Sequence, residues 1–121
     1  MKFREMIKKM ELYSGFSDQE SKESLELMVE SLSVHLTEGE RKDFASQLPK
    51  ELEAIALSVW PTKETAKQDM LQQFMNIQQI DEPRAKKQIL CAWKTIKDAI
   101  TPGEINDIRA QLPNTTVAFL H

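Results

Sequence analysis

Cysteine is nearly missing from this chain. Cys91 is the only one among 121 residues, so no internal disulfide can form, and the composition suits a reducing, cytoplasmic setting. Histidine is almost as scarce: His35 and His121 stand apart, in no spacing such as His-x-x-x-His that would grip zinc. Apolar runs are short throughout, well under the roughly 18 residues that would cross a bilayer, and no membrane association is expected. The start, Met1-Lys2-Phe3-Arg4-Glu5-Met6, carries charges with no apolar stretch behind them and does not read as a signal peptide. Alternation of apolar and polar residues is absent, and no Asn-Gly or Asp-Gly pair marks a hairpin. What remains is helix.

Basic charge is also in slight deficit. The net charge is −3, which argues against nucleic acid or an anionic membrane as partner. The deficit lies in the first half: residues 1–64 carry 9 basic and 13 acidic side chains, residues 65–121 carry 7 and 6.

What the chain has is a pattern that occurs twice. Residues 37–49 laid over 101–113 agree at seven of thirteen positions: Thr37/Thr101, Gly39/Gly103, Glu40/Glu104, Asp43/Asp107, Gln47/Gln111, Leu48/Leu112 and Pro49/Pro113. Chance gives about one match, so the spacing of 64 predicts an internal duplication. The flanks agree in character, with Met6 answering to Met70, Leu25 to Ile89, Val29 to Trp93 and Leu32 to Ile96. One domain, 1–121, is therefore expected to hold two repeats, 1–57 and 65–121, joined by 58–64.

Each repeat reads as three to four helices, and the fold as an all-α bundle with pseudo-symmetric halves. Phe3, Met6, Ile7 and Met10 recur at helical spacing, and Gly15 follows as a C-terminal cap. Ser17-Asp18-Gln19-Glu20 has the form of a capping box ahead of the stripe Leu25, Met28, Val29, Leu32, Leu36. Thr37-Glu38-Gly39-Glu40 forms a second box, in which the Glu40 carboxylate is expected to return to the Thr37 amide. Leu48-Pro49 closes a short third helix and opens a fourth, as Leu112-Pro113 does later. In the second repeat Asp81 caps a helix with the stripe Ile89, Ala92, Trp93, Ile96, Ile100. Leu25, Met28, Leu32, Leu48, Ile89, Trp93, Ile96 and Leu112 are expected in one core.

The repeated segment Thr-x-Gly-Glu-x-x-Asp-(Phe/Ile)-x-x-Gln-Leu-Pro, with Leu52 and Trp60 behind its first copy, resembles a bacterial family known as domain of unknown function 2267. The resemblance implies two tandem helical units over nearly the whole chain, and it brings no catalytic residue or cofactor. The second helices of that family tend to be alanine-rich; here Ala85 and Ala92 follow that habit, whereas Ser21, Ser24 and Met28 depart from it.

Chemistry is thin. Asp43 with Gln47, and Asp107 with Gln111, share helix faces four residues apart and ordinarily would tie the third helix of each unit to a neighbour. A sharper possibility sets Asp43 and Asp107 face to face across a pseudo-twofold axis, able to share a proton or hold a divalent metal. Gly39 and Gly103 open helices, but the glutamate that follows would repel phosphate; they read as permitting close backbone contact. His35 ends an amphipathic helix, where it can cap carbonyls. Cys91 lies beside an apolar stripe with no histidine near in sequence, so it reads as a small core residue rather than a nucleophile. Glu23 against Lys87, and Glu30 against Lys94, place opposite charges at matching positions, which reads first as two solvated faces and otherwise as acidic and basic faces that meet. Arg84, Lys86, Lys87, Lys94 and Lys97 lack stacking aromatics arranged for nucleic acid. Trp60, before Pro61, has no counterpart in the second unit; it either fills the joint or stands out as an anchor for a partner.

The reading favoured by these residues is a non-enzymatic helical interaction module that binds another protein or itself. The alternative is a domain, possibly an enzyme, that takes a small molecule or a divalent metal between the units around Asp43 and Asp107.

Overall fold

The computed structural model describes residues 1–120. Nine helices and no strand occur among them: α1 Phe3–Ser14, α2 Asp18–Ser33, α3 Glu38–Ser46, α4 Lys50–Ser58, α5 Lys63–Ala66, α6 Met70–Gln78, α7 Glu82–Ala99, α8 Pro102–Gln111 and α9 Asn114–Phe119. The all-α expectation holds.

The helix starts follow side-chain chemistry. Ser17, Thr37, Asp81 and Thr101 stand in extended backbone, and each side-chain oxygen accepts the amide of the residue three further on, which satisfies one donor of an exposed first turn. Asp69 does the same for α6 through the amides of Leu71 and Gln72. Pro49 and Pro113 sit one place before α4 and α9 rather than inside them, and their carbonyls accept from Glu53 and Val117. Gly15 ends α1 at φ 77°, the left-handed cap its position predicts. At position 79 that conformation falls to Gln79 with φ 56°, which costs more with a side chain present. The short helix α5, capped by Thr62, lies across what reads in the sequence as a plain joint.

The capping boxes are only half made. Ser17 and Thr37 accept as expected, but neither glutamate returns to its cap. Glu20 instead receives Nε and Nη2 of Arg84 and Nε2 of Gln88, so the start of α2 is tied to the start of α7. Glu40 is taken up below.

One core runs through the molecule. Leu25, Met28, Leu32, Leu48, Ile89, Trp93, Ile96 and Leu112 are all buried in it, along with Met6, Met10, Phe44, Leu52, Phe74 and Ile108. Helix α7 packs against α1, α2 and α6, and α3 against α4 and α8. Ser21, Ser24, Ala85 and Ala92 are fully buried on α2 and α7, so serine fills the small-residue positions where α2 lacks alanine. The Ser24 hydroxyl is returned to the Glu20 carbonyl at 2.7 Å and brings no unmet polarity with it. Gly39 and Gly103 do not serve close contact: a Cβ at either would meet nothing within 4 Å.

Leu32, with no exposed surface, is the sharpest probe of this core. Leu32→Ala is expected to cost about 2–5 kcal/mol, whereas Leu12→Ala, on a side chain 84 % exposed, should stay within about 0.5 kcal/mol of the parent. Urea melts of the two variants measure both.

Candidate functional site: a carboxyl cluster on the seam between α3 and α8

Helices α3 and α8 meet through their polar ends. The Thr37 amide donates to Gln111 Oε1 and the Thr101 amide to Gln47 Oε1, each at 2.8 Å. Since Thr37 and Thr101 cap the starts of the two helices and Gln47 and Gln111 stand at their ends, the helices run antiparallel. Each glutamine satisfies an amide on the opposite helix, the very donor that a closed capping box would assign to Glu40 or Glu104. The ordinary partner for Gln47 and Gln111, a neighbour within their own unit, is therefore not the one observed.

Relieved of that duty, the two glutamates turn to the seam. Glu40, Glu104 and Asp107 each bring a carboxylate oxygen within 4.8 Å of the others. Glu104 is only 5 % exposed, and Oε1 of both Glu40 and Glu104 is shielded from solvent with no donor from another residue. Burial pushes the Glu104 carboxyl up to about 8, helped by the facing Glu40 carboxylate and by the charges of Asp43 and Asp107. The basic side chains on these helices turn to other groups, and Arg109 Nε is buried without a partner. Arg41 Nη1 donates to the Leu36 carbonyl, Lys42 pairs with Glu38, and Arg109 Nη2 reaches the Leu120 carbonyl.

Carboxylates do meet here, but the facing pair is Glu40 and Glu104, not Asp43 and Asp107. Asp107 joins the trio as an exposed member, while Asp43, also exposed, acts on Glu104 only through its charge. The signal was in the repeated segment. A motif that holds both a helix-starting glutamate and a helix-ending glutamine offers two candidates for one amide, and the one not used is free for other work.

The remaining candidates lie apart. His35 is half-buried, and burial pulls its imidazole down; His121 lies outside the described residues. Cys91 Sγ approaches the Tyr13 carbonyl at 3.8 Å, and burial pushes its thiol up, which holds it in the unreactive form. The basic face of α7 folds onto its own molecule: Arg84 and Lys87 lie over the Phe16 ring, Lys94 over Tyr13 and Lys97 over Trp93. Trp60 does not fill a joint; it is 85 % exposed. It shares a shallow recess of about 470 Å³ with Leu57, Val59, Pro61, Glu38, Arg41 and Lys42. No helix among the described residues is long and apolar enough to cross a membrane.

These features define a class: an all-helical bundle with antiparallel short helices stapled by exchanged glutamines around a partly buried carboxyl cluster. Compared with known families, residues 3–119 match the uncharacterised conserved proteins named DUF2267, and the chain belongs to that family. No curated protein and no solved structure matches it.

The raised Glu104 carboxyl carries a sign. The folded state holds a proton that the unfolded state gives up near 4.5, so this group's contribution is full below that value and is lost as pH rises towards 8. Glu20 and Asp98 act oppositely. Hydrogen bonds from Arg84 and from Tyr13, respectively, hold them below their usual range, and what they add is lost as pH falls through it. The melting temperature is therefore expected to pass a maximum near pH 5, about where these opposed effects cross, and to fall by several degrees at pH 8. Glu104→Gln should flatten the alkaline limb and melt above the parent there, which calorimetry across pH will test. Gln47→Ala, which strips Thr101 of its acceptor, should cost about 1 kcal/mol.

Proposed function

We propose that this chain is a non-enzymatic helical interaction module of the bacterial cytoplasm. It is built from two duplicated units, 1–57 and 65–121 with 58–64 between them, and docks a protein partner or a second copy of itself at the end of α4. One observation carries the docking site: Trp60 stands 85 % exposed beside Leu57, itself 50 % exposed. An exposed indole next to a branched aliphatic is costly in water, and such side chains dominate binding energy when a partner covers them. Pro61 stiffens the backbone behind the indole, which lowers the entropy lost on docking. Glu38, Arg41 and Lys42 rim the recess, in keeping with the polar border that surrounds an apolar contact. The single cysteine supports the cytoplasmic assignment. The agreement at seven of thirteen positions supports the duplication.

Trp60→Ala is expected to leave folding within about 0.5 kcal/mol of the parent and to abolish association. Sedimentation velocity reads self-association directly. In a Trp93→Phe background the emission of Trp60 reports docking, and a blue shift on adding the partner or raising the protein concentration is the expected result. Trp60→Ala protein that associates as strongly as the parent would remove this surface from consideration.

A further inference from the structure

We propose that Glu40, Glu104 and Asp107 form a binding site for one hard divalent cation of the Mg²⁺, Mn²⁺ and Ca²⁺ class, seated on the seam between α3 and α8. Three carboxylate oxygens lie within 4.8 Å of one another. Oxygens bound to a common ion at about 2.1–2.5 Å are separated by roughly 3–5 Å, so one ion can touch all three after small side-chain rotations. The donors are all carboxylate, with no imidazole or thiolate, which selects hard cations over zinc or copper. Asp107 is exposed and leaves a side open to water, which such ions retain in their shell.

A second observation points to a missing positive charge. Glu104 is buried to 95 % by the complement of its 5 % exposure, its carboxyl is turned into the trio, and its Oε1 finds no donor from another residue. Glu40 Oε1 is in the same position. Buried carboxylate oxygens without donors are expensive. Of the basic residues of α3 and α8, Arg41 turns to the Leu36 carbonyl, Lys42 to Glu38 and Nη2 of Arg109 to the Leu120 carbonyl, while Arg109 Nε is buried without a partner. No side-chain donor among the described residues reaches Oε1 of Glu40 or of Glu104. The crossed bonds from Thr37 to Gln111 and from Thr101 to Gln47 hold the two helices at fixed separation, which preorganises the donors.

The ion sits between the Glu40 and Glu104 oxygens that no other donor reaches, with the Asp107 carboxylate beside them. Calorimetric titration of the full chain with MnCl₂ alone should show saturable binding at one site. In NMR spectra the paramagnetic ion should broaden amides of α3 and α8 first. Glu104→Gln, which mimics the protonated acid and keeps the fold, should weaken Mn²⁺ binding by at least about tenfold. Asp107→Asn, a surface change, should weaken it as well, and Glu23→Gln on α2 should not. Absence of binding at millimolar Mn²⁺ and pH 8.5 by folded protein overturns the site. So does affinity that survives both Glu104→Gln and Asp107→Asn.

Discussion

Everything in this molecule depends on the packing of α7 against α1 and α2. A chain without a sheet has no flat face to cover, so each helix must bury its apolar stripe on other helices. Helix α7 is the longest, at 18 residues, and it carries Ala85, Ile89, Ala92, Trp93 and Ile96 into the core. Small residues on both α7 and α2 are fully buried, and the ion pair from Arg84 to Glu20 closes the start of their contact. The connections that follow are short: α3 begins at Glu38 after α2 ends at Ser33, and α8 at Pro102 after α7 ends at Ala99. Once α2 and α7 are packed, α3 and α8 have nowhere to start except beside each other.

That adjacency creates the electrostatic character of the seam. Two helix starts and two helix ends are brought together, and the free amides of the starts are met by Gln47 and Gln111 from the opposite helix. The glutamates that would ordinarily close the boxes are left facing inward, where burial and each other's charge raise Glu104. A carboxyl pair of this kind lowers stability at alkaline pH unless something positive settles between the oxygens. A divalent ion held by Glu40, Glu104 and Asp107 would meet that need. The same geometry therefore accounts for a stability cost and for a binding capacity.

The surface tells a different story on its two faces. On α7, Arg84 pairs with Glu20 and lies over Phe16, as Lys87 does, and Lys94 lies over Tyr13, so these three charges face α1, α2 and the turn between them, while Lys97 lies over Trp93 and Lys86 pairs with Glu82 of their own helix. At the end of α4, Trp60 and Leu57 have no such internal partner among the described residues and stand in solvent.

Local structure was legible in the residues because it depends on neighbours in the chain. Ser17, Thr37, Asp81 and Thr101 cap helices, Gly15 takes the left-handed turn, and the apolar stripes at helical spacing line one core. Each of these follows from a side chain meeting a backbone group or a face a few positions away. Three things depended on groups distant in sequence. The Thr37 amide chose Gln111, 74 positions on, over the glutamate three positions on, so the pair on the seam became Glu40 and Glu104 instead of Asp43 and Asp107. Gly39 and Gly103, read as contact points, met open space because α3 and α8 approach through glutamine and glutamate side chains rather than backbone. Trp60, equally suited by composition to a joint or a surface, was left outside the core by the course of the chain past Pro61. A cap or a stripe is decided within one or two turns of helix. The partner of a side chain long enough to reach another helix is decided only when packing has fixed where that helix lies.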